Sequence, residues 1–233
     1  MQNYPSAIKI YDDIFKRKNI DEYTQTAGEK LVSIYLDILA KPAQGITVCQ
    51  ELVKKFPKSD HIGRWKNLII QGYLEDGQYQ QAKVEAEEFL KAYPHHELAP
   101  HIAFMKAEAL SLLEQFDAAI NAYEKITLKY PLSDDSKLAD FEIGNCLMEM
   151  DQLHKALLAY EKALPVYPNP MVVQIRMAAA REKIKARQEG RYAGFRAMME
   201  KRYSDASSRN RMIEDEAPVK PLKGKDIPYP AEE

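Results

Sequence analysis

The sequence predicts an all-α protein, organised as a solenoid of helical hairpins. Ala, Leu, Glu and Lys are plentiful whereas only 9 Gly residues occur, and this usage favours helix over strand. An aromatic residue followed by proline recurs at Phe56-Pro57, Tyr93-Pro94, Tyr130-Pro131 and Tyr167-Pro168. Each pair lies 37 residues after the one before. A period of this length is typical of stacked helical repeats.

Small residues recur at two fixed places in each 37-residue period. One set lies twelve residues before each proline, and the second lies twelve residues before the first. Because large side chains at such places would push two helix axes apart, small ones predict a close antiparallel helix pair in every unit. The first set is Gly45, Ala82, Ala119 and Ala156, and the second is Ser33, Ile70, Ala107 and Gly144, of which three are small.

Each predicted hairpin also carries its own start and stop signals. A turn separates the two sets of small residues, as at Asp76-Gly77. The second helix then shows apolar spacing of three and four residues, and the proline ends it. Ser59 and Ser133 follow two of these prolines and are good N-cap residues for the next helix. The sequence therefore specifies helix ends locally.

This pattern resembles the tetratricopeptide repeat (TPR), a helix-turn-helix unit with small residues at two packing positions and a proline that closes the second helix. The resemblance spans Asp21 to Pro168 and implies a right-handed α-solenoid. The 37-residue length and the Tyr-Pro-x-Ser stretch between repeats are similar to TPR proteins of the bacterial cell envelope, of the Tol-Pal coordinator and outer-membrane assembly lipoprotein type. The first repeat departs from the pattern, with Lys41-Pro42 at its turn and Cys49 where later repeats have tyrosine.

The sequence divides into four regions. Residues 1–20 match only the second helix of a unit and therefore predict a partial repeat. This partial repeat is either the native start of the protein or the remainder of a repeat that was cut from a longer protein. Residues 21–168 hold the four TPR-like repeats. Residues 169–203, with nine basic and three acidic side chains, predict a basic capping helix or a degenerate fifth repeat. Residues 204–233 are polar, contain four prolines and predict a disordered tail, in which 226–230 is a candidate linear motif.

Candidate binding residues follow from the spacing of the first helices, because solenoids of this class bind partners on their concave surface. Asn and Gln side chains can pair with both backbone groups of an extended peptide, and Phe104 and Phe141 could anchor its side chains. The alternative is an ordinary solvated helix surface with the two phenylalanines partly in the core. The candidate partner-binding residues are Arg64, Asn67, Gln71, His101, Phe104, Glu108, Phe141, Glu142, Asn145 and Glu149.

Composition and motifs argue against other classes of function. The 33 Lys and Arg residues nearly balance the 35 Asp and Glu residues, which disfavours a nucleic-acid binder. The sequence has no glycine-rich phosphate loop, His-Glu-x-x-His helix or nucleophile elbow, so we expect no enzymatic activity and no cofactor. His61, His95 and His96 occupy neighbouring loops, but their spacing predicts no metal site. Cys49 and Cys146 belong to distant units and are expected to be core residues rather than a disulfide.

These features predict a non-catalytic scaffold that binds a protein or peptide partner in its groove. The resemblance adds an expected role in a bacterial envelope assembly and a periplasmic or envelope location, although the given N-terminus shows no signal peptide. One alternative is a structural protein that polymerises through its solenoid ends as a homo-oligomer. The other is a membrane-surface adaptor that uses the basic C-terminal helix, and this membrane contact is the less favoured interpretation.

Overall fold

A computed structural model describes residues 4–18 and 20–215, with side chains to residue 202. Over those residues the chain is all-helical, which confirms the predicted fold class. The described residues divide into two units, with the boundary between Lys183 and Ile184. The helices are α1 (Tyr4–Phe15), α2 (Glu22–Ser33), α3 (Pro42–Lys55), α4 (Ile62–Glu75), α5 (Tyr79–Ala92), α6 (Ala99–Leu112), α7 (Phe116–Lys129), α8 (Asp134–Glu149), α9 (Leu153–Ala163) and α10 (Pro170–Asp215).

The first unit is a row of helical hairpins in which each helix packs against the next. The pairs α2/α3, α4/α5, α6/α7 and α8/α9 form the hairpins, and α1 packs against α2. The first helices also contact one another, α4 against α6 and α6 against α8. The first helices α4, α6 and α8 therefore form a continuous layer within this unit.

Close helix approach explains the repeated small residues. Ala82, Ala119 and Ala156 have no exposed surface, and a Cβ added to Gly45 would lie 2.4 Å from Leu36. A Cβ at Gly144 would lie equally close to the ring of Tyr160 on the paired helix. These positions are small because the facing helix leaves no room for more atoms.

The turn within each hairpin repeats with the same period and the same backbone conformation. Ala40, Gly77, Glu114 and Asp151 lie 37 residues apart, and each has a positive φ between 49° and 74°. In the last three hairpins the following amide donates to the carbonyl five residues earlier, as Gln115 N–H does to Leu110 O at 2.9 Å. This is the left-handed C-terminal cap of an α-helix, which turns the chain toward the second helix.

The first repeat differs from the others at the end of its first helix. Residues Ile34–Ile38 form a π-helical segment directly after α2. The Lys41 amide consequently donates to Tyr35 O, six residues earlier, whereas the later turns use a spacing of five. The last turn of this first helix is thus wider by one residue although the sequence spacing up to Ala40 is the same as in the other repeats, and Pro42 begins α3 at a position where its missing N–H does no harm.

Helix α10 corrects two details of the sequence prediction. The helix is continuous from Pro170 to Asp215, without the turn that a degenerate fifth repeat requires. The predicted start of a disordered tail at Ser204 is wrong for residues 204–215, which contain neither Gly nor Pro and propagate the helix. Residues 216–233, including the candidate motif at 226–230, lie outside the described residues. Val173, Met177 and Ala180 on the early part of α10 are buried.

Candidate protein-binding groove

The predicted binding residues fall into columns that cross the layer of first helices. Arg64 on α4 and His101 on α6 occupy equivalent repeat positions. Asn67, Phe104 and Phe141 form a second column, and Gln71, Glu108 and Asn145 form a third. Since α4, α6 and α8 contact one another side by side, each column joins neighbouring repeats. We call this surface the groove.

Glu108 on α6 and Glu142 on α8 give the groove an acidic region. Glu108 is exposed as a whole residue, but the surrounding protein removes part of the water from its carboxyl and so raises its pKa, and the neighbouring charge of Glu142 raises it further. Burial also raises the pKa of Glu142, against the opposing effects of a hydrogen bond from Asn145 and the positive charge of Arg176. Neither carboxyl forms a salt bridge within the described residues. This region is therefore complementary to a cationic or hydrogen-bond-donating partner.

A hydrogen-bonded chain fixes the orientation of Glu142. Tyr160 Oη on α9 donates to Asn145 Oδ1 at 2.8 Å. Asn145 Nδ2 in turn donates to Glu142 Oε2 at 3.0 Å. Because its amide is occupied on both sides, Asn145 positions the carboxylate rather than presenting a free amide to a peptide.

His101 ties α6 to the start of α8. Its Nδ1 lies 2.9 Å from Asp135 Oδ1, and that hydrogen bond is the main reason why the pKa of His101 is raised. The imidazole remains about half exposed. Its charge is therefore available to a partner at slightly acidic pH.

The two phenylalanines of the groove differ in accessibility. Phe141 is only 5% exposed and packs against Tyr160 and Tyr167, with ring centroids 5.6 and 4.5 Å away. Phe104 is partly exposed and meets Tyr123 at 5.3 Å in an edge-on arrangement. Phe141 thus occupies the core, as the alternative interpretation held, and Phe104 retains an accessible edge.

The remaining predicted residues are mostly on the surface. Arg64, Gln71 and Glu149 are exposed, and Gln71 Nε2 donates to Glu75 Oε1 at 2.9 Å. Asn67 is partly buried, and its Oδ1 atom has no hydrogen-bond partner within the described residues. Arg64 and Gln71 can therefore contact a partner without disturbing the core.

Sequence reasoning missed Tyr160 and Arg176 as parts of the groove environment. Tyr160 belongs to a second helix, where the apolar spacing predicts only packing within the hairpin, so the spacing does not link it to Asn145. Arg176 lies on α10, outside the four repeats, yet its charge acts on both Glu142 and Tyr160. Because the 37-residue period is weak after Pro168, the sequence does not predict that Arg176 acts on these two residues.

The two cysteines are buried in the core, as the sequence predicts. Burial raises the pKa of the Cys49 thiol to about 12, and Cys146 Sγ lies 3.4 Å from Ser111 Oγ. Both cysteines are free and buried. In the described part of the chain, no group of three His, Cys, Asp or Glu residues is arranged to hold a metal ion. There, too, none of the helices has the length and apolar character needed to cross a membrane.

Comparison with solved structures supports the assignment of the fold. A crystal structure of MamA protein has 17% sequence identity and a TM-score of 0.54, over 79% of this chain and 86% of MamA. The MamA RS-1 double mutant has 14% identity and a TM-score of 0.53, over 73% and 99%. The nearly identical TPR-like repeats of a Podosopora anserina chain described as a kinesin light chain have 12% identity and a TM-score of 0.56, over 70% and 85%. At these identities the likeness shows the fold alone.

The fold and the repeat pattern together define a helical-repeat protein of the TPR class. Residues 41–213 match the family model YfiO, described as outer membrane lipoprotein. The match covers well over half of the chain, so the protein belongs to the YfiO family. A comparison with curated protein sequences found no match. The class and the family support a protein-protein interaction scaffold.

Proposed function

We propose that the protein is a non-catalytic scaffold of a bacterial envelope assembly, and that its groove binds an extended segment of a partner protein. The observation that carries this proposal is the continuous layer of first helices, on which Arg64, Gln71 and Glu108 are exposed at regular repeat positions. The family description supports an envelope location. Polymerisation through the solenoid ends and membrane contact through the basic helix stay predictions.

The chemistry of the groove favours a polar, extended ligand over a purely apolar one. Gln71 can exchange its bond to Glu75 for both backbone groups of a peptide. Glu108 and the oriented carboxylate of Glu142 favour Lys, Arg or backbone N–H groups at that position. Phe104 supplies an aromatic edge between these polar positions.

Site-specific photocrosslinking in cells tests this proposal. A photoreactive amino acid replaces Gln71 or Glu108 in the groove, and in matched controls it replaces Glu124 on α7 or Lys91 on α5, which are also exposed. We expect the groove positions, but not the controls, to capture the same protein in the envelope fraction. Equal capture at all four positions, or capture only at the controls, would contradict binding in the groove.

A further inference from the structure

A second cleft lies on other surfaces of the same hairpins, between α5, α6 and α7. Its floor is apolar, and its rim carries three lysines without a lining carboxylate. On α6 it uses positions 103 and 106, whereas the groove uses positions 101, 104 and 108. The lining residues are Leu90, Ala103, Lys106, Ala122, Lys125, Ile126, Lys129 and Tyr130.

Comparison with the neighbouring repeats shows why this cleft exists. In the preceding hairpin, Lys66 Nζ on α4 lies 2.7 Å from Glu85 Oε2 on α5. The residues at the equivalent positions of the α6/α7 hairpin are Ala103 and Ala122. Two alanines thus replace an ion pair that fills the same space between the two helices of the preceding hairpin.

The following hairpin shows which charge is missing. There, Lys162 Nζ on α9 lies 2.7 Å from Asp140 Oδ1 on α8. Lys125 occupies the position of Lys162, but the position of Asp140 is occupied by Ala103. Lys125 therefore keeps the cation of this pair without its carboxylate, and none of the described acidic residues forms a salt bridge with it.

The other two lysines add positive charge to the rim. Lys106 Nζ lies 3.0 Å from Glu87 Oε1, so its charge is partly balanced. Lys129 Nζ lies 5.0 Å from the ring centre of Tyr130, which leaves its ammonium group open to an anion. Lys125 and Lys129 are both exposed and follow one another at i and i+4 on α7. They can act together on one acidic segment.

We propose that this cleft binds an acidic segment of a partner protein, in which one large apolar side chain enters between Ala103 and Ala122 and a neighbouring Asp or Glu takes the place that Asp140 has in the next repeat. The cleft is open to solvent and has a volume of about 180 Å³. Since an apolar cavity of about 150 Å³ accommodates benzene, one Leu or Phe side chain fits. The apolar floor provides burial and the lysines provide selection for negative charge.

The experiment first selects peptide ligands and then restores the missing ion pair by mutation. A displayed library of random peptides is selected on the full chain, and enriched peptides are measured by fluorescence anisotropy. We expect enriched sequences that place Asp or Glu beside Leu or Phe. Ala103→Asp supplies the absent carboxylate to Lys125 within the protein, and we expect it to weaken these peptides by about tenfold or more.

Two further variants make the result independent of the folding of Ala103→Asp. Lys125→Glu reverses the exposed charge and should weaken binding to a similar extent, whereas Lys155→Glu on α9 makes the same change at an exposed position outside the cleft and should leave it unchanged. Added salt should weaken binding to the wild type.

The proposal is overturned if no acidic-apolar peptide is enriched, or if both cleft variants bind such peptides as the wild type does. It is also overturned if Lys125→Glu abolishes binding to phosphatidylglycerol vesicles but not to the peptides. Because these changes leave the groove intact, the outcome does not depend on groove binding.

Discussion

The orientation of the Glu142 side chain depends on two elements of the fold, α8 and α9. Its carboxylate lies on α8, Asn145 one turn later holds it by a hydrogen bond, and Tyr160 on α9 holds Asn145. The sequence predicts that Asn145 contacts a ligand, because it lies on a first helix and its amide can pair with both backbone groups of a peptide. The structure gives it a positioning role, since Tyr160 approaches across the narrow space that Gly144 leaves.

The raised pKa of Glu142 leads to a prediction about stability and pH. Burial favours the protonated carboxyl, so the folded state binds more protons than the unfolded state and its stability falls as pH rises through the raised pKa. Gln at this position still accepts the Asn145 hydrogen bond but carries no charge. We therefore expect the stability of Glu142→Gln, measured relative to the wild type, to increase as the pH rises from about 4 to about 7.

Denaturant midpoints across this pH range measure the effect. Glu124→Gln removes an exposed carboxyl on α7 and serves as the control, for which we expect a nearly constant difference from the wild type. If the advantage of Glu142→Gln instead shrinks with rising pH, the attraction of Arg176 outweighs burial at this site.

At the scale of the elements, the hairpin turns adopt a backbone conformation that most of their own residues disfavour. All four turns place one residue in the left-handed region, yet only Gly77 is a glycine. A side chain in this conformation raises the free energy of the folded state by about 1–2 kcal/mol. The turns at Ala40, Glu114 and Asp151 therefore form although a side chain disfavours the left-handed conformation, because the paired helices fix the path of the chain.

Glu114→Gly should consequently stabilise the protein. We expect the relief of backbone strain to exceed the added entropy of the unfolded chain, for a net gain of about 0.5–1 kcal/mol in the free energy of unfolding. Glu124→Gly, within α7, should instead lose about 1 kcal/mol. Thermal and urea unfolding of both variants measure the difference, and a loss of stability for Glu114→Gly would contradict the turn geometry.

The elements also show what the sequence can and cannot predict. The helix pairs follow from signals that act locally, such as the small residues Ala119 and Ala156 and the prolines after each second helix. The π-helical segment after α2 has no such signal, because the spacing from Ser33 to Ala40 is the same as in the repeats whose first helices stay α-helical. The burial of Phe141 depends on Tyr167, which spacing within one helix does not reveal.

At the scale of the whole molecule, the first unit consists of repeats that contact only near neighbours, so its stability should be distributed along the row. Phe15 on α1 covers one end of this row. Its side chain is 2% exposed, and the ring approaches so closely that a Cβ at Gly28 would lie 2.7 Å from it. Lys55 at the end of α3 lies over the same ring, 4.1 Å from its centre. One aromatic residue thus holds α1, α2 and α3 together.

Phe15→Ala should open this end of the row without unfolding the far end. Removing a buried phenylalanine lowers stability by about 3–5 kcal/mol, and in a linear array that loss falls mainly on the repeats beside it. We expect the amides of α2 and α3 to exchange hydrogen much faster, while those of α8 and α9 keep their protection. Ile10→Ala, an exposed position on the same helix, is the matched control and should change little. An equal loss of protection from α2 to α9 would mean that the repeats unfold as one cooperative block.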